Sequence, residues 1–509
     1  MPQLRDSATR ADSGSHGADT VHSPQFGTGA RIFGIETEYG VAITGVDRHV
    51  DARQVAAMIF QPVVTQTRST NTYLCNGARL YLDVGSHPEY ATAETRDPLD
   101  TLTQDLAGEW AIRQLANQAQ QRIRERVGRD ATVHVFKNNV DSAGHAFGCH
   151  ENYLVRRYVP LTVIERELLP FLITRQLFTG AGRATGHGFE LSQRADYLDE
   201  AVSSATTRAR PMVNTRDEPH ADPEEFRRLH VIIGDSNRSQ FATFMKLATT
   251  HLVLGVIEAS IRAGHPSGFG SCTLADPNAA NRAISRDITG AFTVQLAADR
   301  DETDAAWHRH GVASALDIQQ RYLDIVKQKV RADRDTIARS LPRTDIDQVL
   351  ADWQDLLDLV AAQDVDALAD RLDWAAKYRL FEAMRRHDPH VDTWRIQQVD
   401  MDYHDIVNGN VYPSLIRRGM MRTLVSERDV NGAVDTPPRD TRAALRGRFI
   451  QTALRYGLQF SCDWTRLTLT EPVHGEVVLL DPFDACPTPR FEALIAQMKQ
   501  ADTVSAPLA

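Results

Sequence analysis

Residues 76–90 read Asn-Gly-Ala-Arg-Leu-Tyr-Leu-Asp-Val-Gly-Ser-His-Pro-Glu-Tyr, and their alternation decides how the chain is built. Arg79, Tyr81 and Asp83 alternate with Leu80, Leu82 and Val84. A period of two is that of a strand, with the polar side chains on one face and the apolar ones on the other. A guanidinium, a phenol and a carboxylate backed by an unbroken apolar face predict the floor of a polar site. The run 31–41 repeats the design. Glu36 and Glu38 project to one side, and Phe33, Ile35, Tyr39 and Val41 to the other. Carboxylates at i and i+2 of a strand lie about 7 Å apart. In a partly buried site like charges repel by roughly 4 kcal/mol at 4 Å with an effective dielectric near 20, so positive charge is needed nearby. Solvent or an arginine can meet that need. So can a hard divalent cation such as Mg²⁺, which takes carboxylates together with phosphate oxygens and water. Glu89 and Glu94, just past Asp83, favour the metal-nucleotide reading.

The chain has 509 residues, 42% of them hydrophobic, which suits a large globular protein of two or three domains. A net charge of -10 argues against general nucleic-acid binding, which needs a basic footprint. Arg194, Arg208, Arg210, Arg216, Arg227 and Arg228 crowd the middle of the chain. They read either as a solvated surface or as forks for carboxylate and phosphate oxygens. Cys75, Cys149, Cys272, Cys462 and Cys486 are scattered, with no Cys-x-x-Cys pair. That predicts a reduced, cytoplasmic protein without a zinc site. Residues 1–30 are rich in small and polar residues, lack an apolar stretch, and read as a disordered tail rather than a signal peptide. The apolar run 241–263 is interrupted by Lys246, His251, Glu258 and Arg262, so it reads as a buried helix and no membrane span is expected.

Strand-like runs occupy 31–43, 78–84, 132–138, 149–156, 189–194 and 228–234. Helical periodicity covers 101–127, most of 236–390 (notably 316–340 and 346–386), and 440–457 after Pro437-Pro438. Strands first and helices later predict an α+β fold. The tail ends near residue 30, a catalytic domain is expected over 31–424, and a small C-terminal domain over 425–509. No P-loop, dinucleotide fingerprint or His-Glu-x-x-His is present, and Gly180-Ala-Gly182 reads as a helix C-cap or turn. A nucleotide would therefore sit on an open sheet with acidic metal ligands. His150 and His230 read as core histidines. Cys149 and His150 are strand neighbours facing opposite ways, so they do not form a nucleophilic pair.

Gly34-Ile-Glu-Thr-Glu-Tyr-Gly40, together with 76–94, resembles the carboxylate-amine ligase-like enzymes of pupylation, relatives of glutamine synthetase and glutamate-cysteine ligase. The similarity continues through 137–142, 148–153, 203–208, 214–222, 227–235, 403–406 and 434–438, spanning residues 31 to about 497. The resemblance implies a glutamine synthetase-like domain, with a curved, mainly antiparallel sheet packed on helices. The family has two arms. One ligates the prokaryotic ubiquitin-like protein, Pup, to lysines of target proteins, marking them for the bacterial proteasome. The other deamidates Pup and removes it from conjugates. The wording around Asp83, and the mere 35 positions separating Val41 from Asn76, resemble the ligase arm. By resemblance, ATP phosphorylates the side-chain carboxylate of Pup's C-terminal Glu, and a lysine then attacks the acyl phosphate. Glu36, Tyr81 and Glu89 would hold Mg²⁺, Arg79, Thr92 and Trp464 would contact ATP, and Asp83 would be the general base. Glu38 and Glu94 are further candidate ligands. Arg208, Arg216 and Arg228 are candidates for phosphate charge. The deamidase arm, a small-molecule ligase of the glutamate-cysteine type and a non-enzymatic scaffold remain as alternatives.

Overall fold

The computed structural model describes residues 29–504 apart from 48–49, 84, 142–143, 205–209, 299–310 and 472–473. Nearly all of the expected tail, Val84 and Arg208 therefore lie outside the described residues.

The fold is α+β and is organised by one eight-stranded sheet. Its order is Glu200–Ser203, Pro211–Asn214, Phe226–Val231, Cys149–Arg156, Phe33–Glu38, Pro88–Ala91, Arg79–Leu82 and Asn71–Tyr73. Pairing is antiparallel except between Glu200–Ser203 and Pro211–Asn214. The expected strand at 31–43 is two strands. Tyr39 breaks it, and Gly40–Thr44 leaves the large sheet to pair with Thr132–Phe136. The run at 189–194 is a strand only to Glu190. Beyond it, buried Asp235 accepts the Gln193 N–H and the Ser192 hydroxyl, so these groups bond a side chain rather than a ladder.

One face of the sheet is covered by helices. The largest core cluster joins Phe33, Ile35, Cys149 and Tyr153 from the sheet to Gln240–Ala263 and to the helices carrying Trp353 and Trp374. Gln240–Ala263 is long and apolar enough by composition to cross a membrane, but it is buried in this core. The Ser239 hydroxyl accepts the Ala242 N–H at its start, and Gly264 ends it at φ 71°. The periodicity at 316–340 divides into Ala315–Ala332 and Arg334–Ser340, with Asp333 between them in a non-helical conformation (φ -144°, ψ 46°). A second cluster lies between Ala52–Thr67, Pro98–Val127 and the Gly40–Thr44 hairpin. Pro98 opens the longer helix, where its missing N–H costs nothing, and Asp97 accepts the Leu99 N–H. A third cluster packs Ala443–Arg455 and Pro489–Val504 on a three-stranded sheet of Gln459–Cys462, Arg466–Glu471 and Gly475–Val478.

Candidate active site

The uncovered face of the sheet carries the polar side chains. Register fixes which ones meet, because residues directly opposite on antiparallel strands share a face. Glu36 lies opposite Ala91 and His150, Glu38 opposite Glu89, Tyr81 opposite Glu89, and His230 opposite Asn152. The carboxylates expected from two separate motifs therefore converge with two histidines that sequence reading had placed in the core. That placement is corrected: the His150 and His230 rings lie 4.8 Å apart, tilted by 55°, on the site face.

Glu36 accepts from Asn152 Nδ2 at 3.1 Å and Arg228 Nη1 at 3.4 Å, with His150 Nδ1 3.3 Å from its other oxygen. Burial opposes its ionisation, but the His150 hydrogen bond and the Arg228 guanidinium outweigh burial and hold it below the usual carboxylate range. Burial also pushes His230 down to about 3, so it is a neutral imidazole. Glu38 accepts the Gly148 N–H at 2.6 Å. Glu89 is buried, and its burial plus the Glu36 and Glu38 charges push it well above the usual range, although Tyr81 donates to it. Burial, then Glu36 and Glu89, push the Tyr81 phenol up and keep it protonated. Neither Glu38 nor Glu89 has a lysine or arginine ion-pair partner among the described residues.

Donor atoms of Glu38, Glu89 and His150 lie within 4.8 Å of one another, as do those of Glu36, His150 and His230 and those of Glu38, Asp83 and His87. A buried carboxylate with no matching cation, beside others at this spacing, is a donor set that fits a divalent cation. Glu94 does not join it, which corrects the expectation that it is a further ligand. It is gripped by Arg442 Nε at 2.8 Å and by both ends of Arg446, and these arginines overcome burial to lower it to about 2.

A cavity of about 220 Å³ opens beside the carboxylates and is lined by Glu36, Arg79, Tyr81, Thr92 and Trp464, among others. The Arg79 guanidinium lies 4.0 Å over the Tyr81 ring, and its Nε donates to Asn71 Oδ1 at 2.8 Å. Thr92 Oγ1 accepts the Ile35 N–H at 3.0 Å. Trp464 reaches in from the C-terminal unit, its ring edge-on to Tyr73 at 5.2 Å and its carbonyl held by Arg446 at 3.0 Å. An aromatic wall, a basic and hydroxyl floor and an acidic end suit a purine, its phosphates and a metal in that order.

Asp83 stands beyond the strand expected to carry it, because Arg79–Leu82 ends one residue earlier. It heads a tight turn in which Oδ1 accepts the His87 N–H at 2.6 Å. Glu38 connects this turn to the metal-type cluster. Arg216 is largely exposed and pairs with Glu218, a residue that lines the cavity. Arg194, which the sequence reading left in the arginine crowd, is 2% exposed, and its Nε and Nη1 have no hydrogen-bond partner. Burial pulls its pKa down, against the pull of Glu38 and Asp235.

The family model described as Pup-ligase protein matches residues 31–468. The chain is 60% identical over 495 residues to a Pup–protein ligase of Bifidobacterium longum subsp. infantis, covering 97% of this chain and 99% of that relative. It is 58% identical over 502 residues to the Pup–protein ligase of Bifidobacterium adolescentis, covering 98% of this chain and 100% of the relative. A solved complex between the prokaryotic ubiquitin-like protein Pup and its ligase PafA matches with TM-score 0.82 at 35% identity, covering 94% of each chain. The Pup ligase PafA in complex with ADP matches with TM-score 0.74 at 37% identity, covering 91% of this chain and 96% of that one. Matched along nearly its whole length in sequence and in structure, the chain belongs to the Pup-ligase family.

Proposed function

We infer that this protein joins the C-terminal Glu side chain of Pup to lysine ε-amines of target proteins at the expense of ATP. The observation that carries this reading is a line of sites along one sheet face. Trp464 and Arg79 stand at one end, Glu36, Tyr81, Glu89 and Glu38 in the middle, and Asp83 at the other.

Glu36, Tyr81 and Glu89 would hold Mg²⁺, with Glu38 and His150 adjacent. A bound Mg²⁺ neutralises phosphate-oxygen charge as the phosphoryl group moves. Arg79, Thr92 and Trp464 bind the nucleotide. The Pup carboxylate oxygen attacks the γ-phosphorus, and the bond to ADP breaks. The product is a γ-glutamyl phosphate whose leaving group is phosphate rather than oxide. A lysine nitrogen then bonds to the carbonyl carbon of that acyl phosphate, the Glu side-chain Cδ, and phosphate departs. A lysine ammonium has a pKa near 10.4, so one proton must leave before attack. Asp83 Oδ accepts it, a role worth roughly 10²- to 10⁴-fold in rate. Arg194 and Arg228 face the developing negative charge. The carboxylate cluster lies at the bottom of the sheet face, where water is displaced once Pup and nucleotide fill it.

Residues 31–424 act as the catalytic domain and 425–509 as a small domain supplying Trp464. The protein works in the cytoplasm, upstream of a proteasome. The test is incubation with Mg-ATP, a lysine-bearing protein and Pup ending in Glu, followed by a denaturing gel. A conjugate in the wild type, lost in Asp83→Asn while Mg-ATP still protects that variant against thermal unfolding, supports the reading. No conjugate, with ammonia released from Pup ending in Gln, overturns it in favour of the deamidase arm.

A further inference from the structure

The proposed base is held in a way that the ligand set and the nucleotide pocket do not explain. Three hydrogen bonds close the turn from Asp83 to His87. The Asp83 N–H donates to the His87 carbonyl at 3.1 Å, the Ser86 N–H donates to the Asp83 carbonyl at 3.0 Å, and the His87 N–H donates to Asp83 Oδ1 at 2.6 Å. The turn closes only because Ser86 takes a left-handed conformation, φ 65°, which side-chain-bearing residues adopt at a cost. The second carboxylate oxygen, Oδ2, faces His87 Nδ1 at 3.5 Å. That nitrogen is buried and has no hydrogen-bond partner.

The His87 ring is itself fixed from behind. It packs against Phe147 at 5.1 Å with the rings tilted by 34°, and Phe147 is pressed onto Gly40, where a Cβ would stand 2.8 Å from its ring. Gly85 closes the arrangement in front. A Cβ there would lie 3.0 Å from His87 Nδ1 and 3.1 Å from Asp83 Oδ2. The carboxylate and the imidazole thus meet directly over the one residue that has no side chain.

We propose that His87 is the positioning residue for Asp83. Its backbone amide bonds one carboxylate oxygen, its ring walls in the other at 3.5 Å, and Gly85 provides the clearance that lets the pair close. The proposal rests on the reading of Asp83 as the base toward lysine. Its physical basis is that a bound amine must find the proton acceptor at hydrogen-bond distance, and a displacement of about 1 Å costs on the order of 100-fold in rate. A carboxylate bonded at one oxygen only can swing about that contact, whereas one also walled in at the other cannot.

The experiment compares two acceptors with the full-length protein, Mg-ATP and Pup. A target lysine needs deprotonation. Hydroxylamine is already neutral at the assay pH and converts the acyl phosphate to a hydroxamate plus phosphate without a base. Asp83→Asn, His87→Ala, His87→Asn and Gly85→Ala are measured with both. His87→Ala and Gly85→Ala are expected to lower kcat for lysine ligation about 10- to 100-fold. KM for Pup and ATP and the rate of hydroxamate formation stay within about threefold of wild type, the size of a weak contact. His87→Asn, whose side-chain amide can take the place of Nδ1, restores most of the lysine rate. If His87→Ala loses both reactions equally, the histidine merely supports the fold and the proposal fails. It fails also if His87→Ala keeps full lysine activity, or if the Asn variant is no better than Ala. Full lysine ligation by Asp83→Asn would instead overturn the base assignment beneath it.

Discussion

Replacing Glu89 by Gln separates metal chemistry from folding at one buried position. Glu89 is 4% exposed and shares a space 4.8 Å across with a Glu38 oxygen and His150. Two unit charges at that separation repel by about 3 kcal/mol with an effective dielectric near 20. The Gly148 N–H on Glu38 and partial exposure take back part of this, leaving about 1–3 kcal/mol. Gln keeps the acceptor for Tyr81 and removes the charge. The metal-free variant is therefore expected to be more stable than wild type by that amount at neutral pH. Because burial and its acidic neighbours raise Glu89, its contribution is fully present below its ordinary value of 4.5 and is lost as pH rises through the raised value. The variant should thus show a flatter stability profile between those two values. Magnesium should reverse the order, since a cation at 100 times its Kd adds about 2.7 kcal/mol to wild type and little to the variant. Thermal melts in EDTA and in excess Mg²⁺, across a pH series, measure both terms. A variant that melts below wild type in EDTA would falsify the argument, because it would mean the Glu89 charge is already compensated.

Trp464→Ala should raise KM for ATP about 3- to 10-fold, as expected for removal of one aromatic contact, and leave kcat at saturating ATP nearly unchanged; steady-state ADP release reports it. Glu94→Ala leaves Arg442 and Arg446 buried without their carboxylate and should cost about 3–5 kcal/mol in chemical denaturation. Because the arginines lower Glu94 to about 2, its contribution is present above its ordinary 4.5 and is lost as pH falls toward 2, so acid titration of the variant should lack that loss. Arg194→Met removes a buried guanidinium with two unpartnered nitrogens and should stabilise the ligand-free protein by about 1–3 kcal/mol. The same change should cut ligation about 10²- to 10³-fold, and a variant gaining stability without losing rate would remove Arg194 from the site.

The two acidic strands were legible because each keeps its polar and apolar faces separate in sequence. Phe33 and Ile35 alternate with Glu36 and Glu38 across a single register, and Leu80 sits between Arg79 and Tyr81. His150 was hidden because its strand is polar on both faces. Glu151 points into the core, where Arg175 and the Tyr153 hydroxyl satisfy it, so Cys-His-Glu-Asn shows no period of two. His230 had a usable signal, since Arg228 and His230 alternate with buried Leu229 and Val231. The fate of Glu94 depends on arginines about 350 positions later, at sequence separations of 348 and 352, which no local pattern encodes. Asp83 fell outside its strand because its side chain bonds the His87 amide in place of a ladder partner. The boundaries of the helical segments failed where Asp333 leaves the helical conformation between two helices.

Arg446 has one further consequence. A single guanidinium grips the Gly77 carbonyl ahead of the Arg79 strand, the Glu94 carboxylate after the Pro88–Ala91 strand, and the Trp464 carbonyl. The spacing between the Trp464 ring and the strands that carry the site residues is therefore set like a fixed caliper. On the proposed function, spent and fresh nucleotide would meet an opening of one width and would exchange through the mouth of the pocket.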